Sequence, residues 1–393
     1  MVQEALANNR NLRATALRLR AAREDLITSK ARLLPNADAR TGYSASTGKN
    51  VSSADRYSLN FGVNWEADVW GRLRDRDAAA QADFASDLAD QRGRELSLAA
   101  NTAQAWCDLV TAQKQLDLAR ATLASYKRAL PAVRRGYEAS TLRAVDLQFA
   151  RNNIANAERT LRQRELGKGN AARNLEVFLG RYPAAEISAG AELPELTGKV
   201  PAGLPARLLS RRPDLVSAAS QVYRSARLTA AARKDLLPRL RISSDLSNNG
   251  QQRLSRVFDP NFILFSAAAN LTQTLYDGGT LKARARAALL QNRASLESYA
   301  QTALNAFREV ESALHADTSL REQEVYLSQE AEQTTRAEKR ALRDITLGIP
   351  GATFLEYLEA QRRAENARAS LIRLRNQRLQ NRIDLYLALG GGY

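Results

Sequence analysis

The chain has one cysteine, one histidine and one methionine in 393 residues. Cys107, between Trp106 and Asp108, has no second cysteine with which to close an internal disulfide; a lone cysteine in a helical run most simply packs as a small hydrophobe. His315 has no second His or Cys beside it to complete a metal set, so no metal or other cofactor is expected. Nucleophilic or acid–base catalysis has almost no material here, and the sequence does not read as an enzyme. Runs of 18 apolar residues are missing too, which excludes a candidate transmembrane helix. Met1 leads straight into an amphipathic pattern, Ala5, Leu6, Leu12 and Leu17, without a basic-then-apolar signal segment or a small-residue cleavage site. That leaves either a cytosolic protein or a sequence that begins downstream of a targeting segment.

Charged residues make up 25% of the chain, the apolar share leans on Ala and Leu, and Gly (20) and Pro (10) are sparse. This is the composition of long helices and coiled coils. A net charge of +16 is compatible with nucleic acid, an anionic membrane surface or anionic cargo. The basic residues are spread along helical stretches, however, and the aromatics are not interleaved with them, so solvated helix faces explain the charge most simply.

The sequence is written twice. Leu33-Leu34-Pro35 returns as Leu236-Leu237-Pro238. After Gly71 comes a stretch of 68 residues, to 139, whose only glycines are Gly93 and Gly136; after Gly279 comes one of 68, to 347, with none. Asp146-Leu147 with Ala150 corresponds to Glu356-Tyr357 with Ala360, and the segment before Gly180 to that before Gly390. A period near two hundred residues is a duplicated domain-sized half rather than a solenoid unit. The halves divide as 1–35 (helix), 36–70 (hairpin), 71–180 (long helical hairpin), 181–212 (connection), 213–238 (helix), 239–278 (hairpin) and 279–393 (long helical hairpin and end). In the connection, Pro183, Pro194, Pro201 and Pro205 with Gly190, Gly198 and Gly203 imply extended or short-element structure, and Pro213 suits a first helical turn.

Residues 2–34 read as one helix ended by Pro35. Between Ser58 and Glu66 alternation is strict, Leu59, Phe61, Val63 and Trp65 against Ser58, Asn60, Gly62, Asn64 and Glu66, which is a strand with one apolar and one wet face. Asn36 to Ser44 alternates similarly, and the polar segment 44–55 between them reads as an exposed loop. The second half repeats this layout: Leu240, Ile242 and Leu246 alternate with polar residues, a polar loop follows through Asn248 to Pro260, and Phe265, Ala267, Ala269 and Leu271 form the return. Strands of 9–11 residues fit a tilted bilayer crossing, and equally a soluble sheet packed on helices. Four strands cannot close a barrel, and an open edge is forbidden in lipid. Membrane strands would therefore need several chains in one barrel.

At 1.5 Å per residue each 68-residue stretch makes a rod of about 100 Å. The first carries a heptad, Leu109, Leu116, Leu123 and Leu130, with Ala105, Ala112, Ala119, Tyr126 and Val133 offset, so it packs side by side with neighbours. The second is less regular, with Leu304, Phe307, Val310 and Leu314. Each rod turns and returns as a shorter helix, 141–179 and 352–389. With the helix preceding each hairpin, two shorter helices end to end would flank one long one.

These residues carry a resemblance. Gly203-Leu204-Pro205, Leu208-Leu209 and Arg211-Arg212-Pro213-Asp214, with Leu236-Leu237-Pro238, match the central signature of the TolC-family outer-membrane efflux proteins that pair with resistance-nodulation-division (RND) pumps. Leu275-Tyr276-Asp277-Gly278-Gly279 matches that subgroup's exit from the fourth strand, and Leu387 to Tyr393 its ending. The resemblance covers essentially the whole chain and implies a mainly α fold with a β-barrel portion: a homotrimer with twelve outer-membrane strands, four per chain, above a coiled-coil α-barrel in the periplasm of a Gram-negative bacterium. It further implies a passive exit duct for drugs or small toxic solutes, docked to a periplasmic adaptor and an inner-membrane RND pump, with outer-membrane lipid around the barrel and no nucleic-acid partner. The subgroup usually carries a signal peptide and a lipidated N-terminal cysteine, neither of which is in this sequence, and Cys107 is no substitute.

The resemblance makes the turns Ser140-Thr141-Leu142 and Gly348-Ile349-Pro350-Gly351 the periplasmic tips where an adaptor docks. Glu356 and Glu359, with Asp146 and Arg143 as first-half counterparts, become candidates for a charged entrance ring, where symmetry copies would focus the field on cations. The plainer expectation is that Glu356 and Glu359 pair with Arg362 or Arg363 along the helix. The segment Ile349-Pro350-Gly351 looks inserted relative to the family, and Ser140 stands where a glycine is usual. Two other functions remain open at this point: the outer component of a type I protein-secretion system, and a soluble basic coiled-coil scaffold for polyanions.

Overall fold

The computed structural model describes all residues except 49–50, 189, 191, 197–210, 252, 348, 350 and 392–393. Along the chain run α1 (Val2–Asn8), α2 (Arg10–Ala31), β1 (Asn36–Gly48), β2 (Val51–Ala67), α3 (Arg72–Glu138) and α4 (Ala144–Phe178). The second half repeats the order with α5 (Pro213–Lys234), β3 (Arg239–Gln251), β4 (Leu264–Thr272), α6 (Thr280–Thr346) and α7 (Phe354–Ala388). The two rods are thus helices of 67 residues each, and their returns are helices of 35 residues each.

Several local expectations change; the second-half loop read through Asn248 to Pro260, for one, is strand as far as Gln251 and carries 3-10 turns at Leu254–Arg256 and Pro260–Phe262. The segment 2–34 is not one helix. Asn9 is extended (φ −62°, ψ 124°); its Oδ1 accepts the Leu12 N–H at 3.1 Å and its Nδ2 donates to the Phe178 carbonyl at 3.1 Å. An asparagine that caps the next helix while binding a distant carbonyl outweighs the propensity of the flanking residues. The segment 44–55 is also less of a loop than its polarity suggests. β1 runs to Gly48 and β2 starts at Val51, because ladder pairing with a neighbouring strand satisfies the backbone whatever the side chains.

The chain divides into two units, residues 1–14 with 92–212 and 304–393, and residues 15–91 with 213–303. In the first unit, Ala5 and Leu12 pack with Leu98, Ala105 and Leu109 of α3 and with Ala172, Leu175 and Leu179. The short helices therefore do meet end to end against the long one at this core. The α3 heptad positions Leu109, Leu116 and Leu123 are buried. On α6, Val310 and Ala313 pack on Leu385, Ala388 and Leu389, whereas Leu304 is exposed rather than part of the seam.

The second unit holds one antiparallel sheet in the order β1-β2-β3-β4. Register aligns Ala39, Phe61, Leu246 and Phe265 across all four strands, and Ala37, Val63, Ser244 and Ala267 beside them. Trp65, Ile242 and Ala269 continue the same face. Its large side chains stand open to the surroundings, Phe265 by 64% and Leu271 by 68%. On the opposite face Asp38, Gly62 and Asp245 align. β1 and β4 are edges. A sheet whose large apolar side chains share one fully open face, with polar residues gathered on the other, does not pack like the sheet of a soluble domain and suits hydrocarbon.

Where the strands meet the helices, both Leu-Leu-Pro copies make the same turn. Leu34 N–H donates to the Ala31 carbonyl and Leu237 N–H to the Lys234 carbonyl, each at 3.0 Å. The indole of Trp65 donates to the Leu33 carbonyl (2.9 Å) and that of Trp70 to the Pro238 carbonyl (2.7 Å). Asp235 gathers Arg72 (3.5 Å), Arg76 (2.9 Å) and Arg239 (2.8 Å), and Arg72 also reaches Glu66 at 2.5 Å. Removing a mostly buried acid that serves three guanidiniums leaves uncompensated charge. Asp235→Ala is therefore expected to destabilise the protein by about 3 kcal/mol, read as a lowered denaturation midpoint in detergent.

Candidate functional site

Both helical hairpins turn by the same chemistry. After α3, Ser140 adopts φ +58° and the N–H groups of Thr141 and Leu142 donate to the Gly136 carbonyl at 2.9 and 3.0 Å. A serine thus occupies a left-handed position where glycine is the easier choice. Asp146 accepts from the Arg143 backbone N–H (3.0 Å) and lies 3.3 Å from its guanidinium. After α6, the Ile349 N–H donates to the Asp344 carbonyl at 3.0 Å and Gly351 takes φ +88°. Thr353 Oγ1 accepts the Glu356 N–H while the Glu356 carboxylate accepts the Thr353 N–H, both at 3.2 Å. Glu356 and Asp146 are therefore repeat-equivalent third residues of capped helices, their negative charge placed at the positive end of the helix dipole.

The two candidates on α7 differ. Glu356 is exposed and its carboxylate serves the cap. Glu359 is bound by Arg363 at 2.8 Å and by Arg362 at 2.8 Å; these two guanidiniums, Arg363 first, hold its carboxyl below the usual range. Asp146 is buried. Beneath these caps Val133, Ala150, Phe354 and Tyr357 form one apolar cluster, joined by Leu142, Leu147 and Ile345. Both turns are thereby fastened to one another. Gly348 and Pro350 lie outside the described residues.

The central signature has a role too. Gly203, Leu204 and Pro205 lie outside the described residues, but Arg212 is buried, donating to the Ala388 carbonyl at 3.0 Å and pairing with Glu309 at 2.8 Å. Gly390 (φ +84°) comes so close to Arg211 that an added Cβ would sit 3.0 Å from its carbonyl carbon. In the first half Gly180 (φ +73°) approaches the Asn8 carbonyl, to 2.6 Å from an added Cβ, and Asn9 binds the Phe178 carbonyl. Arg211-Arg212 thus does what Asn8-Asn9 does: within the first unit it binds the end of a helix, α7 here and α4 there. Pro213 opens α5, and Asp214 stands in its first turn.

Sequence reasoning missed Glu176. Buried at the end of α4, it accepts the N–H groups of Ala185 (2.7 Å), Glu186 (2.7 Å) and Ile187 (3.2 Å). Burial pushes its carboxyl up, and those donors outweigh burial, leaving it below the usual range. It pins the start of the inter-repeat connection. The one signal available was an acid on an otherwise apolar stripe of α4.

The family described as "Outer membrane efflux protein" matches residues 1–181 and 204–391. The chain belongs to this family. It is 31% identical over 410 residues to the outer membrane protein OprJ of Pseudomonas aeruginosa, covering all of this chain and 84% of OprJ. With the cation efflux system protein CusC of Escherichia coli it shares 28% over 401 residues, 100% of this chain and 85% of CusC. A crystal structure of CusC superposes with a TM-score of 0.91 at 26% identity, covering 100% of this chain and 91% of that one. The fold is the TolC-like one, and the protein is an outer-membrane efflux channel reaching into the periplasm; its relatives are transport proteins.

Both clamp glycines are irreplaceable for the same geometric reason. Gly390→Ala and Gly180→Ala are each expected to cost on the order of 1–3 kcal/mol. Gly167→Ala in α4, with nothing within 4 Å of the new methyl, should stabilise by about 0.5–1 kcal/mol. Thermal unfolding of the three variants checks the contrast.

Proposed function

We propose that three copies of this chain form the outer-membrane exit duct of a tripartite efflux system, passing small toxic solutes outward without chemistry on the cargo. The observation that supports this best is the sheet: four strands with one open apolar face, and edges at β1 and β4. Hydrocarbon offers no hydrogen bonds to such edges, so closure by other copies is the economical solution. The turns at Ser140-Thr141-Leu142 and at Gly348-Ile349-Pro350-Gly351, of which Ile349 and Gly351 are among the described residues, are the surfaces offered to a periplasmic adaptor, which links the duct to an inner-membrane RND pump. Cross-linking of detergent-extracted protein should give a trimer. A monomer that stays in solution without detergent would overturn the reading.

Within that duct Glu356 carries the entrance field. Its carboxylate is exposed and accepts a backbone N–H, with no guanidinium paired to it among the described residues, whereas two guanidiniums offset Glu359. Glu356→Gln keeps the capping geometry, since glutamine serves at the same position. In reconstituted pores the double change Glu356→Gln with Glu359→Gln should weaken cation block and cation preference, with Glu356→Gln alone giving most of the effect. Unchanged selectivity in the double variant would return both residues to a purely structural role.

A further inference from the structure

Within the first unit, the seam where α7 lies against α3 and α6 holds a carboxylic acid that neither the efflux reading nor the turn chemistry uses. Glu365 is half-buried, and its Oε1 is enclosed with no hydrogen-bond partner among the described residues. Its Oε2 lies 3.5 Å from the Tyr126 hydroxyl of α3. Arg368, whose charge acts on Glu365, is committed to Glu338 of α6 at 2.5 Å. One turn away Gln361, fully buried, donates to Ser125 of α3 at 3.2 Å. Beside this cluster is a cavity of about 530 Å3 lined by Tyr126, Thr122, Asn153, Arg164, Arg362 and Glu365. The charged or titratable groups facing Glu365 are therefore Tyr126 from α3, Arg164 across the cavity from α4, Glu338 from α6, and Tyr357, Glu359, Arg362 and Arg368 on α7 itself.

We propose that Glu365 is a proton-responsive latch of this three-helix seam. Neutral, it lets α7 pack closely on α3 and α6. Ionised, it repels Glu338, draws water from the adjoining cavity and loosens the seam. An enclosed carboxylate oxygen without a donor is costly when charged, whereas an open, hydrated seam removes that cost. Burial first, and Glu338 second, push this acid up to about 7 against the opposing hydroxyls of Thr122 and Tyr126 and the charge of Arg368. Because the closed form holds the proton more tightly than the open or unfolded chain, its advantage is full below the ordinary carboxylate range. It falls as pH rises toward 7 and is fully lost above it.

Amide exchange of the full chain in detergent, corrected for intrinsic rates, tests this on residues 119–129 and 357–369 between pH 5 and 8. Opening should rise by about tenfold per pH unit below 7 and level off above it. Glu365→Gln should hold both segments at their low-pH protection throughout, and Glu338→Gln should move the plateau to lower pH. A flat wild-type profile, or a slope that survives Glu365→Gln, overturns the proposal. Should Glu365→Gln fail to assemble, the Glu338→Gln profile decides: a downward shift supports the latch and an unmoved one overturns it. The readout concerns the seam alone and stands or falls apart from any transport measurement.

Discussion

Among the described residues the sheet ends at β1 and β4, each with one side of its ladder unpaired within the chain. In water such an edge is a hazard, and in hydrocarbon it is intolerable, because every unpaired N–H and C=O there costs several kcal/mol. Much of the second unit answers to that constraint. One face is apolar across four strands, and the opposite face carries Asp38, Arg40, Asn64 and Asp245. Where the strands end, Trp65 and Trp70 each donate to a backbone carbonyl of a Leu-Leu-Pro turn. An amphipathic indole with its N–H satisfied and its ring outward belongs at the boundary between lipid and water.

The first unit solves a different problem, holding very long helices without a globular core. It does so at helix ends rather than by broad apolar layers. Gly180 and Gly390 each close a helix in a left-handed conformation and press against the backbone of the segment that begins a half. Asn9 and Arg212 then bind the last carbonyls, at Phe178 and Ala388. One clamp is made with an amide and the other with a guanidinium, so duplication preserved the geometry while the side chain drifted. Glu176 extends the first clamp by gathering three N–H groups of the inter-repeat connection.

Along α7 the polar residues divide by what surrounds them. Glu356 stays exposed because its partners are the backbone groups of a helix start, which demand no burial. Glu359 sits between two arginines of its own helix. Gln361 and Glu365 turn into the seam with α3 and α6, where each polar atom must find a partner or bear a desolvation cost. Residues within ten positions of one another on a single helix thus serve a cap, a surface ion pair and a buried cluster.

Periodicity determined most of the architecture from the sequence alone. The strict alternation at 58–66, the heptad at 109–130 and the doubled Leu-Leu-Pro pointed to strands, rods and the duplication, because period 2 and period 3.5 are properties of the local backbone. The tertiary structure decided what depends on residues far apart in the chain. Asn9 breaks a helix only because the Phe178 carbonyl lies opposite it. Polar 44–48 and 51–55 become strand because a partner strand is there to pair. The Glu365 carboxyl is pushed up first by burial among helices that no spacing rule brings together, and second by Glu338. Local geometry is written in short-range pattern, whereas burial, and with it the charge state of an acid, exists only once distant segments meet.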